Sequence, residues 1–491
     1  MIAPNPTQEQ PSRAKAPRAE EQDANLDLGA TLARLRSAHR RDGAPTYAQR
    51  VSHLNALEHA VLSRKDALAD AISRDFGNRS KHESIAAEVF VVINEIRFAR
   101  SHLRDWMRTE ARDVGLAFLP ARAEVLPQPL GVVGVISPWN YPVQLALAPL
   151  VGALAAGNRV MLKPSELVPE TTKVLGELLA DAFTSDRVTM VTGGADVGEA
   201  FSKLAFDHLV FTGSTRVGKI VMRAAAENLV PLTLELGGKS PVIIGSGISA
   251  RAAADKIMAG KCFNAGQTCV APDYVLVPRG ELGAFVAACE ASVAKMYPTL
   301  ASNPDYTSII SAGHFGRIST YVKEAKEKGV RVVEINPAKE TLDPAKRKIA
   351  PTLVVDPPEE LAVMQDEIFG PVLPIRPYDT LDAAIDYVND RPRPLALYFV
   401  GYEESEAEHV IAKTTSGGVC VNDTMLHVGI DDLPFGGVGP SGMGHYHGHE
   451  GFVSFSKMKP ILRQARVSGT ALMRPPFGRA VELLLKLLIG G

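Results

Sequence analysis

From Leu130 to Leu236 short apolar runs alternate with helical segments, and this alternation constrains the fold of the 491-residue chain more than any other feature. The runs are GVVGVI (131–136), RVMLK (159–163), VTMV (188–191), DHLVFTG (207–213) and PLTLEL (231–236). They are near-continuous apolar stretches rather than alternating ones, as expected of strands buried on both faces. Helical segments separate them at Val143–Ala156, Glu170–Ala182, Val197–Leu204 and Ser214–Ala226. Strand and helix recurring every ~20–25 residues predict βαβ units, because parallel strands need a crossover and a covering helix supplies it. A second alternation starts at PVIIG (241–245). It runs through a helix at Arg251–Met258, DYVLVP (273–278) and a helix at Glu281–Met296. Strands follow at Val330–Glu334, Pro351–Val355, Leu373–Pro377, Leu395–Val400 and Gly418–Val421. The two adjacent glycines of LELGGK mark the boundary between the two α/β units, near Glu235–Lys239. Ahead of them, residues 27–112 read as helical from the spacing of Leu28, Leu32 and Leu35, of Val51, Leu54, Leu57 and Val61, and of Val89, Val92, Ile93, Ile96 and Leu103. Residues 429–460 read as a Gly-rich loop.

Composition narrows the function. Charged residues are 22% and hydrophobic residues 46%, the balance of a globular protein rather than a disordered one. A net charge of −2 gives no basic excess for nucleic acid. Four cysteines exclude a disulfide scaffold, and with no CxxC or CxxxC no structural zinc site is expected; they point to a reducing, cytoplasmic setting. Residues 1–25 are polar and Pro-spotted and are expected to be a disordered tail without the apolar core of a signal peptide. No run reaches the ~18 apolar residues of a membrane span.

Three strings could cradle a phosphate. Gly437-Val-Gly439-Pro-Ser-Gly442 lacks a strand before it and a helix after it. Gly245-Ser-Gly247-Ile-Ser-Ala250 has both but no acid ~20 residues on. Phe211-Thr-Gly213-Ser-Thr-Arg-Val-Gly218 ends a strand and opens a helix whose N–H groups can receive an anion. His445, His447 and His449 form a cluster on a Gly-rich loop that reads as surface rather than metal site, and no metal is expected. Cys269, in FNAGQTC (263–269), lies in a polar, Gly-containing segment suited to a partly exposed thiol in a cleft. Spacing alone leaves that reading level with an inert buried cysteine, the fate expected of Cys289 and Cys420.

Taken together the motifs carry a resemblance. LGVVGVISPWNYP (130–142), LKPSE (162–166), FTGST (211–215), LELGGKSP (234–241), FNAGQTC (263–269), EIFGP (367–371) and LPFGGVGPSGMG (433–444) occur in the order of the aldehyde dehydrogenase superfamily. RPRPLALYFV (391–400) and the short C-terminal part resemble its class 3 branch, and residues 425–452 resemble bacterial coniferyl aldehyde dehydrogenases. The resemblance implies the aldehyde dehydrogenase fold: an atypical Rossmann cofactor domain (26–117 and 131–235), an α/β catalytic domain (236–430), a small β oligomerisation element (118–130 and 450–460) and a C-terminal loop and helix extension (431–491). It implies oxidation of an aldehyde to the carboxylic acid through a cysteine thiohemiacetal and thioester. The substrate implied is aromatic, with medium- or long-chain aliphatic aldehydes as the alternative. Cys269 matches the nucleophile, Asn140 the oxyanion donor and Glu235 the general base. Lys163 and Glu166 match contacts to the adenosine ribose, Gly213, Ser214 and Gly218 the helix that receives the pyrophosphate, and Glu367 the acid on the nicotinamide ribose. Phe369 packs near the nicotinamide and Trp139 lies in the same crevice. The cofactor implied is NAD, with NADP as the other candidate. A CoA-acylating relative would commonly lack the base at Glu235, and a catalytically silent member would lack the catalytic three.

The same resemblance implies a homodimer built on a β-hairpin at about 118–130 and a strand at about Val453–Lys457. Leu472, Val481, Leu484, Leu485 and Leu488 predict a C-terminal apolar helix stopped by Gly490 and Gly491. It is expected to pack on the dimer as a partial gate, with membrane-surface attachment as the alternative.

Overall fold

The computed structural model describes residues 27–115, 118–468 and 474–490, so the tail 1–25, Leu472 and Gly491 lie outside the described residues. The chain opens with helices α1 (Leu28–Asp42), α2 (Tyr47–Phe76) and α3 (Lys81–Ser84), which passes through one π turn, Ile85–Phe90, into α4 (Val91–Trp106). Strands β1 (Glu110–Arg112) and β2 (Arg122–Pro129) follow. The first alternation is β3 (Val132–Ile136), α5 (Gln144–Ala156), β4 (Arg159–Lys163), α6 (Pro169–Ala182), β5 (Val188–Met190), α7 (Ala195–Ser202), β6 (His208–Gly213), α8 (Thr215–Ala226) and β7 (Leu232–Leu236). The second begins with β8 (Pro241–Ile244), α9 (Ala250–Cys262), β9 (Tyr274–Pro278), α10 (Leu282–Met296), α11 (Ala312–Glu327), β10 (Arg331–Glu334) and β11 (Thr352–Val355). It ends with α12 (Ala362–Gln365), β12 (Val372–Tyr378), α13 (Leu381–Asn389), β13 (Ala396–Val400), α14 (Glu404–Lys413) and β14 (Gly418–Val421). Last come β15 (Gly442–Met443), α15 (Gly448–Ser454), β16 (Ser456–Arg463) and α16 (Arg479–Ile489).

The strands form a three-stranded antiparallel sheet, β1-β2-β16, and two larger sheets, one of six strands in the order β15-β7-β6-β3-β4-β5 and one of seven in the order β10-β11-β12-β9-β8-β13-β14, and these two carry the site. Each is parallel except for one antiparallel edge, β15 in the first and β10 in the second. The sheet switch falls between β7 and β8, at the two glycines of LELGGK. Strands β3 and β4 are almost wholly buried because helices cover both faces. Helix α5 is buried along nearly its whole length, since it lies beneath α2 and α4 in one continuous apolar core with β3 and β4. In the first sheet the chain winds outward from β3 to β4 and β5, then reverses through β6 to β7. The switch point between β3 and β6 is where open α/β sheets leave a crevice at their strand C-termini.

Several elements differ from the sequence reading. Residues 110–112, inside the stretch that reads as helical, form β1, paired with β2 from Glu110↔Val125 onward. The strand expected at about Val453–Lys457 is β16, which pairs with β2 over eight residues from Ser456↔Pro129 to Arg463↔Arg122, while Val453 belongs to α15. The Gly-rich segment 429–460 is not a loose loop: it holds β15, α15 and the start of β16. Its glycines allow backbone contact rather than freedom. At Gly442 φ is +142°, and a Cβ would sit 2.1 Å from the Leu234 carbonyl oxygen. This close approach seats β15 on β7, opposite Glu235. Helix α16 forms as expected, but only Val481 is buried, and Leu483, Leu487 and Ile489 are exposed. Among the described residues no helix is long and apolar enough to cross a membrane.

Candidate active site

Four neighbouring strands of the first sheet deliver the expected residues to one edge. Trp139 and Asn140 stand in the turn after β3, Lys163 ends β4, Gly213 ends β6 and Glu235 is the penultimate residue of β7. The second sheet faces them with the segment between α9 and β9, which carries Cys269, and the segment after α12, which carries Glu367 and Phe369.

The approach to Cys269 is strained. Asn264, Ala265 and Gly266 have φ values of +49°, +50° and +74°, and two successive non-glycine residues in the left-handed region persist only where surroundings over-determine them. The surroundings are hydrogen bonds. The Asn264 main-chain N–H donates to Glu83 at 3.0 Å, and its side-chain amide donates to the carbonyls of Asn140 and Gln267, each at 3.2 Å. The Gln267 amide donates to the carbonyls of Asn264 and Ser308 and accepts the Ile310 N–H. Gly266 is required for contact as well as for φ, since a Cβ there would lie 2.3 Å from the Gly370 carbonyl oxygen. Asn140 Nδ2 donates to the Gln267 carbonyl at 3.2 Å, which fixes the amide orientation and leaves one N–H for another acceptor. Tyr141 and Thr268 hydroxyls bond at 2.7 Å.

The loop ends by presenting Cys269, half-buried. Burial pushes its thiol up to about 12. The charges of Glu367 and Glu235 act in the same direction, and the N–H groups of Cys269 and Val270 oppose them. The thiol is therefore protonated at neutral pH in the free protein. Glu235 is 2% exposed, on a strand otherwise apolar, and neither carboxylate oxygen has a partner. Burial holds its carboxyl well above the usual range. Glu367 is pushed up to about 7, chiefly by burial; the Gly238 N–H it accepts opposes this, and Asp273 adds to it. Its Oε1 has no partner and would lie 2.1 Å from a Cβ on Gly237, so the LELGGK glycines make room for this acid. Lys239 ties the same two segments together through Asp273 and the carbonyls of Val363 and Asp366. Phe369, at φ +51°, meets Trp139 edge-on at 5.3 Å.

The other half of the crevice offers groups suited to an anion. Ser214 caps α8 by accepting the Val217 N–H, and no acidic residue stands in the first turn, so the remaining N–H groups are open to an anion. Lys163 is buried, with Nζ 3.7 Å from Glu166, and burial lowers its pKa while Glu166 opposes. Gly218 faces the sheet: a Cβ would sit 2.6 Å from Leu236 Cδ2, so its part is close helix–strand packing. The other two glycine strings are closed to phosphate. The Ser246 N–H and hydroxyl both bond the Glu406 carboxylate, and Ser441 Oγ accepts the Val438 N–H to seal the turn at Gly437. The three histidines do not converge, since His447 stacks on Phe435 and His449 lies against Trp106 and Phe452.

Sequence reading missed Arg79, Glu83, Glu88, Gln267 and the fully buried Tyr446, whose phenol lies within electrostatic reach of Glu235 and Cys269. The one signal for Glu88 was a carboxylate inside the apolar stretch IAAEVFVV.

A family model described as the aldehyde dehydrogenase family matches residues 4–461. The coniferyl aldehyde dehydrogenase of Pseudomonas sp. (strain HR199 / DSM 7063) is 51% identical over 464 residues, 94% of this chain and 96% of that protein. A substrate-bound structure of Staphylococcus aureus AldH matches with a TM-score of 0.89 at 35% identity, covering 95% of this chain and 100% of that one. A Mycobacterium tuberculosis aldehyde dehydrogenase complexed with NAD+ matches with a TM-score of 0.79 at 29% identity, covering 88% of this chain and 89% of that one. The chain belongs to the aldehyde dehydrogenase family.

Alkylation of Cys269 by iodoacetamide in the free protein is expected to rise ~10-fold per pH unit across pH 7–9, as a thiol with a pKa far above that window requires. Glu367→Gln removes one of the two opposing charges and should raise the rate at each pH; mass spectrometry of the modified peptide reads both. A rate that levels off below pH 8 would contradict the buried, protonated thiol.

Proposed function

We propose that this aldehyde dehydrogenase oxidises an aromatic, coniferyl-type aldehyde to its acid with NAD, using Cys269, Asn140 and Glu235. The observation that carries the reading is the convergence of a half-buried thiol, an amide held in one orientation and an unpartnered buried carboxyl, in a chain 51% identical to a coniferyl aldehyde dehydrogenase.

Cys269 passes its proton to solvent, by way of Glu235 or of a water, and the sulfur adds to the carbonyl carbon while the carbonyl π pair moves onto the oxygen, which places a negative charge there. The free N–H of Asn140 Nδ2 and the Cys269 main-chain N–H are the donors for that oxygen, each worth about 3–4 kcal/mol of barrier. NAD, held by Lys163, Glu166, Gly213, Ser214 and Glu367 beside Trp139 and Phe369, supplies the hydride acceptor when bound. Once the carbon has lost its hydride a thioester remains on Cys269. Glu235 takes a proton from water, the water oxygen adds to the thioester carbon, and the acid leaves as the sulfur recovers its electron pair. A carboxyl raised by burial suits a base working near neutral pH. Glu166, paired with Lys163 at the ribose end, disfavours an added 2′-phosphate, so NAD is placed ahead of NADP.

We place the cofactor domain at 26–117 and 131–235, the catalytic domain at 236–430 and a homodimer on the β1-β2-β16 sheet, whose strands bury only Pro129 and Ser456 in the single chain. The uncovered apolar face of α16 calls for a partner, which we take to be the neighbouring subunit. Four free cysteines support a cytoplasmic setting.

NADH formation across a panel of cinnamaldehyde-type, benzaldehyde-type and C6–C16 aliphatic aldehydes, with NADP in parallel, tests the substrate class. The highest kcat/KM is expected for the cinnamaldehyde type with NAD, and a preference for long aliphatic aldehydes would replace this reading. Glu235→Gln should release about one equivalent of NADH per site and then stall, and the rise of the wild-type hydrolysis rate with pH, due to ionising Glu235, should vanish. Loss of the first equivalent as well would make Glu235 the only route for the thiol proton. Sedimentation at micromolar concentration should give two chains per particle; an active monomer contradicts the dimer.

A further inference from the structure

One buried ion pair lies outside the roles assigned so far. Arg79 Nη1 and Glu88 Oε1 meet at 2.9 Å with both side chains fully buried. Arg79 Nη1 also donates to the main-chain oxygen of Asn140 at 2.9 Å. Glu88 Oε2 accepts the N–H groups of Val143, at 2.8 Å, and Gln144, at 3.0 Å, which would otherwise be open at the start of α5. Glu88 itself lies in the π turn that interrupts the helix between α3 and α4. The guanidinium rests on the rings of Phe76, 5.1 Å away, and Tyr141, 4.7 Å away, and its Nε and Nη2 have no partner.

As a stabilising device this is poor. A buried pair with unsatisfied N–H groups is commonly matched or bettered by apolar residues of similar volume. What it provides is placement. Arg79 touches two consecutive residues, and each of these grips the nucleophile loop: Asn140 through the Gln267 carbonyl, Tyr141 through the Thr268 hydroxyl. Without Arg79, Asn140 O would keep only the Asn264 amide as donor.

We propose that Arg79, held by Glu88, is a positioning residue for aldehyde oxidation, clamping the Asn140–Tyr141 turn so that the Asn140 amide meets the oxyanion in register with Cys269. The proposal rests on the reading of Asn140 as oxyanion donor. A misplacement of about 1 Å at such a donor costs on the order of 10²-fold in rate.

A double-mutant cycle separates positioning from simple stabilisation. Wild type, Arg79→Met, Asn140→Ala and the double variant are compared by the first-turnover rate of NADH formation, by NAD affinity and by melting temperature. Arg79→Met is expected to slow the first turnover ~10–100-fold with NAD affinity unchanged. In the Asn140→Ala background it should slow nothing further, although it lowers the melting temperature equally in both backgrounds. If Arg79→Met does not fold, Arg79→Lys, which keeps the charge and a donor, runs the same cycle with a smaller but still non-additive loss. Losses that multiply in the double variant, or an unchanged first turnover in a folded Arg79 variant, overturn the proposal alone. A wild type that forms no NADH from any aldehyde overturns the functional reading and this proposal together.

Discussion

The hydrogen-bond ring that joins Asn140, Asn264 and Gln267 is the constraint on which the rest of the site depends. It holds two successive non-glycine residues in the left-handed region immediately ahead of Cys269. Such a conformation costs on the order of 1–3 kcal/mol per residue and would relax if the loop stood alone. Every bond in the ring reaches a carbonyl that has no ladder partner in either sheet, so the same contacts that impose the strain also satisfy buried backbone. The thiol is thereby placed by rigid, saturated main chain rather than by the packing of its own small side chain.

Around that ring the site is built from burial without pairing. Glu235 has no ion partner and Glu367 keeps one bare oxygen, and both carboxyls are raised for that reason. A salt bridge to Glu235 would pull its carboxyl back down and weaken it as a base. The glycines of LELGGK, FNAGQTC and EIFGP serve one geometric end, backbone approach close enough that three segments share a single floor. Gly237 admits the Glu367 carboxylate and Gly266 admits the Gly370 carbonyl, and in each place a methyl group would collide. Burial in these packed segments is what raises both carboxyls.

How much of this could be read in advance follows the range of the interaction. The buried strands of the first sheet were legible because a strand covered on both faces must be apolar throughout, and α8 because Gly213 and Ser214 end a strand and cap a helix within two residues. The Gly-rich segment 429–460 was misread because glycine marks looseness and close contact with the same letter. At Gly442 the decisive neighbour, Leu234, lies in another strand. Arg79 and Glu88 gave almost no signal, since their partners at Asn140, Val143 and Gln144 are separated from them by 55 to 61 residues.

The sequence by itself determined the parallel βαβ first sheet and the second α/β unit, because these depend on periodicity, caps and glycine placement within a few residues; the thiol, amide and acid of the site were named by the resemblance of the ordered motifs, not by local spacing. Tertiary structure alone decided that Gln267 orients Asn140 across 127 residues, that Glu83 anchors the nucleophile loop across 181, and that Glu235 stands unpartnered. It also decided the protonation of Cys269. A pKa reports the desolvation and charges around a group, and those arrive only when distant segments close on one another.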